Sequence, residues 1–116
     1  MSRWTHVIGA ICVDTYGKNA INDITEFLQN CPQITGSERE ADMFLNQPTG
    51  HNSSCSEWDE EKQNMVLKEW ETRVVISIIG DLRDRGLEQT QREVNAFITA
   101  LENQFDIDYK SIEIFV

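Results

Sequence analysis

Basic residues, cysteines and long apolar stretches are all scarce in this 116-residue chain, and each scarcity removes a class of protein. Lys and Arg number 10 against 20 Asp and Glu, giving a formal net charge of −10 and a pI near 4.5. A phosphate-neutralising surface needs clustered Lys and Arg, so simple electrostatic binding to DNA, RNA or anionic lipid is not expected. Cys12, Cys31 and Cys55 are odd in number and contain no Cys-x-x-Cys pair. That argues against a disulfide framework or a four-cysteine zinc site, and for a reducing compartment. No apolar run approaches the roughly 20 residues that span a bilayer. Residues 1–13 lack the apolar core and small-residue cleavage site of a secretory signal, and Asp14 stands where one would continue. The expectation is a soluble, cytoplasmic protein.

What remains is the composition of an ordinary folded domain, 40% hydrophobic and 26% charged. At this length one core is expected, so residues 1–116 read as a single domain. Residues 5–14, with Val7, Ile8, Ile11 and Val13, form a first strand covered on at least one face. Ala20, Ile21, Ile24, Phe27 and Leu28 then recur at helical steps, and Cys31-Pro32 stops the helix. Residues 41–46 read as a short second strand, with Met43 and Leu45 on one face and Asp42 and Phe44 on the other. Residues 72–80, including Val74, Val75, Ile76, Ile78 and Ile79, resemble a central strand buried on both faces. After the connection Gly80 to Gly86, a second helix runs over residues 87–104, with Val94, Phe97, Ile98, Leu101 and Phe105 as its stripe. Residues 109–116 close the chain as a strand.

Between the second and third strands, residues 46–69 read as a long, irregular and acidic surface excursion that opens on turn formers from Gln47 to Ser54. Within its second half, residues 59–68 fit a turn or two of helix and residues 65–70 fit an extension of the next strand. Periodicity does not choose between them.

The order strand, helix, strand, strand, helix, strand resembles the ferredoxin-like βαββαβ fold. The resemblance implies an α+β domain with a four-stranded antiparallel sheet, both helices on one face, and a long excursion between the second and third strands. It also implies the first and third strands side by side and parallel in the centre, with the second and fourth at the edges. The short acidic chain, Ile34-Thr35-Gly36-Ser37-Glu38 and Gly80-Asp81-Leu82-Arg83-Asp84 also resemble small uncharacterised bacteriophage-encoded proteins. That likeness points to an origin and to no particular activity.

Parallel central strands would gather Asp14, Asp81 and Asp84 at one sheet edge, with Asp106 and Asp108 beside them. Oxygen ligands so grouped suit Mg²⁺ or Ca²⁺ and a metal-dependent enzyme. The same acids also suit helix capping, which stabilises by roughly 0.3–1 kcal/mol each. Capping is the better reading, because no calcium-loop or phosphate-loop spacing is present. Arg83 and Arg85, just before a helix, are candidates to receive a small anionic ligand. No nucleophile or zinc set emerges from His51, Cys55 or the serines, and no cofactor is expected.

The excursion carries the other candidate site: Trp58, Asp59, Glu60, Glu61, Glu69 and Trp70. A tryptophan among acids is the make-up of a protein-recognition patch, unless Trp58 folds back over the helix-free sheet face. The preferred expectation is therefore a non-enzymatic binding module, phage-encoded and host-directed (for example counter-defence), whose partner is a host protein with a basic surface. The open sheet face or an edge also offers a route to a homodimer.

Overall fold

The computed structural model describes the backbone of residues 3–16, 20–46 and 52–116. Side chains are described for these residues apart from 16, 20, 52–57 and 65–72. Seven elements follow one another: β1 (Trp4–Tyr16), α1 (Ala20–Asn30), β2 (Asp42–Asn46), β3 (Asn52–Asp59), β4 (Asn64–Arg83), α2 (Leu87–Gln104) and β5 (Asp106–Phe115). The strands make one antiparallel sheet in the order β2-β4-β1-β5, with β3 paired to β4. The protein is thus α+β, two helices with an antiparallel sheet.

Both helices form where the apolar spacing predicts them. Ile24 and Phe27 of α1 and Val94, Phe97, Ile98 and Leu101 of α2 are buried against the sheet. α1 gives way at Cys31-Pro32, and α2 ends with the Phe105 amide donating to the Leu101 carbonyl. Their sheet-side partners are alternate residues: Val7, Ile11 and Val13 on β1, and Val74, Ile76, Ile78 and Leu82 on β4. Register aligns these two sets, pairing Ile11 with Ile76 and Val13 with Val74, so one face of the sheet carries the core. Met43 and Leu45 of β2 lie on that face, as their alternation predicts.

Gly80 also sits on the core face, where β2 begins. A methyl group there would lie 2.8 Å from the Cβ of Ala41 and 3.0 Å from its Cα, so only glycine admits so close an approach.

Three expectations are overturned. First, β1 and β4 are antiparallel, not parallel. A helical crossover makes β2, not β4, parallel to β1, and β4 hairpins back between them. Both crossovers interleave in this way, β1-α1-β2 enclosing β4 and β4-α2-β5 enclosing β1. Second, most of the excursion is regular. β3 pairs with β4 from Asn52↔Thr72 to Asp59↔Asn64, on the edge of β4 that β2 occupies further along. Residues 65–70 therefore extend the strand, and the helical alternative for residues 59–68 falls. The turn formers at residues 47–51 lie outside the described residues. Third, the third strand is covered on one face only: Ile79 is exposed, and Val75 and Ser77 are partly so.

Strand limits differ as well. β4 continues through Asp81 to Arg83, so the expected loop from Gly80 to Gly86 shrinks to its last three residues, and β5 starts earlier, at Asp106.

β1 stops pairing with β4 at Glu71. The rest of β4, residues 64–70, projects with β3 as a two-stranded arm about 20 Å long at some 3.3 Å per residue. The 20 residues of β4 alone account for most of the 71 Å long axis of the molecule. Among the described residues no helix is long and apolar enough to cross a membrane.

Candidate functional site

The acidic edge that parallel strands would have built is divided between two ends of the sheet. Asp14 faces Arg73, whereas Asp81 faces His6. Eight residue steps along β1, from His6 to Asp14, separate those positions, about 26 Å at strand rise. The helices likewise start at opposite ends, so Asp14, Asp81 and Asp84 do not cap a common edge.

At the first end, Arg73 is clasped by two carboxylates. Its Nε donates to Asp14 Oδ1 at 3.1 Å and its Nη2 lies 3.1 Å from Asp108 Oδ2. The hydrogen bond to Asp14, reinforced by the Asp108 charge, holds the guanidinium even more firmly protonated than usual. A register shift after Cys12 delivers Asp108 to this position and sets Asp106 opposite Asp14. Two of the expected acids do meet here around an arginine that sequence inspection did not connect to them, with Asp106 across from Asp14 in the ladder.

At the second end, the other candidates tie a turn together. Arg83 pairs with Glu38, and Ser37 Oγ donates to Asp84 Oδ2 at 3.2 Å. The Ser37 amide donates to the Arg83 carbonyl at 3.0 Å, and the Asp84 amide to the Arg3 carbonyl at 2.6 Å. Asp84 has φ 59°, a left-handed conformation that Asp tolerates better than most residues. Arg85 accepts the Thr5 hydroxyl on its carbonyl at 2.6 Å and donates from Nη1 to the Asp84 carbonyl at 3.2 Å. The two segments singled out in the sequence, residues 34–38 and 80–84, are thus packed against each other. Gly36 allows it, since a Cβ there would sit 3.1 Å from the Leu82 Cα. Glu93 of α2 closes the unit by accepting from the Thr35 hydroxyl at 2.6 Å and the Thr35 amide at 3.1 Å.

Asp81 stands apart from that turn. Its Oδ1 lies 2.6 Å from His6 Nδ1, and the His6 ring is 5.3 Å from the Phe115 ring. Both acid and histidine belong to the face of the sheet away from the helices.

An open helix-free face is expected from the sequence; the apolar residues that line it are what the sequence reading missed. Trp4, Ile8, Phe44, Ile79, Tyr109 and Phe115 line it, exposed between 40% for Trp4 and 57% for Tyr109. Cys12, under this layer, is fully buried, and its hydrogen bond to Tyr109 pushes the phenol pKa up. A signal was available: Arg73, Ser77 and Asp81 recur at even spacing through the apolar run of β4, which marks a strand with one polar-leaning face.

The arm tip is ordered by its own aspartate. Asp59 Oδ1 accepts from the amides of Glu61 (2.9 Å) and Lys62 (3.2 Å), and the Asp59 carbonyl accepts from Gln63 at 2.8 Å. Gln63 takes the left-handed conformation, φ 56°, that closes the loop. Trp58 is 55% exposed beside this turn, with Asp59, Glu60 and Glu61 next to it, so it does not fold back over the sheet. Glu69 and Trp70 belong to the arm strand, paired with Cys55 and Ser54; their side chains lie outside the described residues.

A groove between the ends of α1 and α2, lined by Phe27, Cys31, Ala100 and Phe105 with Asp23 and Glu26 at its rim, brings no reactive set together. Burial there pushes the Cys31 thiol pKa up, which suppresses its thiolate. Among the described residues, no three His, Cys, Asp or Glu side chains are placed to hold a metal ion. Comparison of the chain with protein-family models, with curated proteins and with solved structures returns no match in any of the three.

Proposed function

We propose that this protein is a non-enzymatic binding module that docks the β3–β4 arm on a basic surface of another protein. The observation that carries the reading is the tip of the arm: a half-exposed Trp58 beside Asp59, Glu60 and Glu61, held out on a hairpin that β1 does not support. An indole with three adjacent carboxylates combines an apolar anchor with charges that steer it toward Lys and Arg. The sharing of Asp14, Asp81 and Asp84 between two distant ends weakens the alternative of a metal-dependent enzyme at that edge. Together with the phage-like features of its sequence, the arm suits an accessory or host-directed inhibitor, for example one that occupies a defence protein.

The fold assignment that accompanies this proposal is ferredoxin-like. Its support is the interleaving of two strand-helix-strand crossovers whose helices pack on the same sheet face. The β3 strand and the overlong β4 are then additions that build the arm.

Affinity capture from a bacterial host lysate tests the functional reading. A stoichiometric partner is expected, its retention falling as NaCl rises from about 50 to about 500 mM and the Debye length shortens roughly threefold. Retention should also fall at least about tenfold for Trp58→Ala and for Asp59→Asn/Glu60→Gln/Glu61→Gln. Capture that survives both variants, or that strengthens with salt, counts against the arm.

A further inference from the structure

The helix-free sheet face, independent of the arm, has the area, charge and relief of a surface that closes on a second copy of itself. We propose that two chains pack these faces together across a two-fold axis perpendicular to the strands.

Area is sufficient. Three strands about 4.8 Å apart over ten steps at about 3.3 Å, with the five residues of β2 beside them, give a flat footprint of roughly 550 Å² per copy. Two copies bury roughly 1,100 Å², and more once side chains interdigitate, which clears the roughly 1,000 Å² of a specific interface.

Much of the charge on the face is paired internally. Arg73 is held by Asp14 and Asp108, Asp42 by Arg39, and Asp81 by His6. Among the described residues Glu113 and Asp106 add exposed acids without an ion pair, and no cationic cluster stands beside them. The aromatics of the face do not form a platform for single-stranded nucleic acid, which requires a cationic groove beside the stacking rings. Repulsion between two chains of net charge −10 is screened beyond about 8 Å at physiological salt.

Relief supplies the self-complementarity. In cross-strand register, Ile79 and Ile8 stand side by side as a ridge, and in the next row along the strands Ser77 and Ala10 form a trough walled on the β2 side by Phe44. A two-fold axis between these rows exchanges them, seating each ridge in the partner's trough. On β5 the same operation brings Glu113, level with Ile8, over Ser111, level with Ala10. The carboxylate can then accept from a hydroxyl. Strand direction reverses across such an axis, so the two arms point away from each other and leave both tips free.

Sedimentation equilibrium of the full chain between about 1 and 100 µM distinguishes the outcomes. The expected mass is twice 13.4 kDa. Dimerisation should be unchanged or stronger at high salt, opposite in sign to partner capture by the arm. Ile8→Asp and Ile79→Asp each enter the interface twice and should weaken the dimer at least about 100-fold, with the circular dichroism spectrum retained. Trp58→Ala should leave it intact. A monomer throughout the concentration range overturns the proposal. So does a dimer indifferent to both isoleucine substitutions, which would place pairing at the β5 edge instead. If Ile8→Asp fails to fold, Ser77→Arg fills the trough from a partly exposed position and gives the same readout.

Discussion

Replacing Gly80 with alanine tests the packing that seats β2 on the central strands. The new methyl would lie 2.8 Å from Ala41 Cβ, 3.0 Å from Ala41 Cα and 3.3 Å from Val7 Cγ1. Carbon atoms prefer about 3.5–4.0 Å, so all three contacts are repulsive. Overpacking of this kind costs roughly 1–3 kcal/mol, while losing glycine's unfolded-state freedom returns about 0.4–1 kcal/mol. The net expectation is a loss of about 1–2 kcal/mol, or roughly 4–8 °C in Tm for a domain of this size. Ala41→Gly alone should cost about 1.5 kcal/mol, from one buried methyl and added backbone entropy. Combined, the two should cost less than their sum by about 0.5–1 kcal/mol, because the shortest contact vanishes while the approach to the residue 41 Cα persists. Urea unfolding followed by tryptophan fluorescence and circular dichroism, at one fixed protein concentration, measures all four corners of the cycle. If Gly80→Ala matches the parent within about 0.3 kcal/mol, or the pair is additive within that margin, the close approach of β2 to β4 is not as described.

Two further outcomes follow from the site geometry. Because the bond to Cys12 comes first among the causes that raise the Tyr109 pKa, Cys12→Ala in a Tyr16→Phe background should move the phenol titration to lower pH. Alkaline absorbance at 295 nm, an ordinary tyrosinate wavelength of about that value, reads it, and an unmoved or upward-moved curve rejects the pairing. With Asp14 and Asp81 about 26 Å apart, Mg²⁺ or Ca²⁺ at roughly millimolar concentration should raise Tm by less than about 1 °C, the level of weak surface binding. A larger rise that Asp81→Asn and Asp14→Asn each abolish would restore the shared metal edge.

The helices were legible because each is amphipathic over many residues and its limits are chemically marked, at Cys31-Pro32 for α1 and at Gly86 for α2. Strands were legible as apolar runs, although their extent was not. Leu82 and Arg83 continue β4 past a glycine that looked like its end, since Gly80 serves close packing there and not a turn. Lys62, Lys68 and the six acids of residues 57–71 made the arm look irregular, because they interrupt the apolar alternation by which a strand is read. The site residues fared in the same way. Trp58, Asp59, Glu60 and Glu61 do share one exposed tip, because neighbours in sequence remain neighbours on a turn. Asp14, Asp81 and Asp84 were grouped by an assumed strand direction and came apart when that direction reversed.

Composition and local order determined the two helices, the α+β class and the acidity of the arm, since each depends on residues close together in sequence. Only the tertiary structure decided that β1 and β4 run antiparallel, that Arg73 draws Asp14 and Asp108 together, and that Ile8 and Ile79 form a ridge on an uncovered face. Those relations join residues far apart along the chain, from 35 positions for Arg73 and Asp108 to 71 for Ile8 and Ile79. They turn on strand direction and register, where reversing one strand or slipping one residue changes every neighbour, and no local pattern encodes that choice.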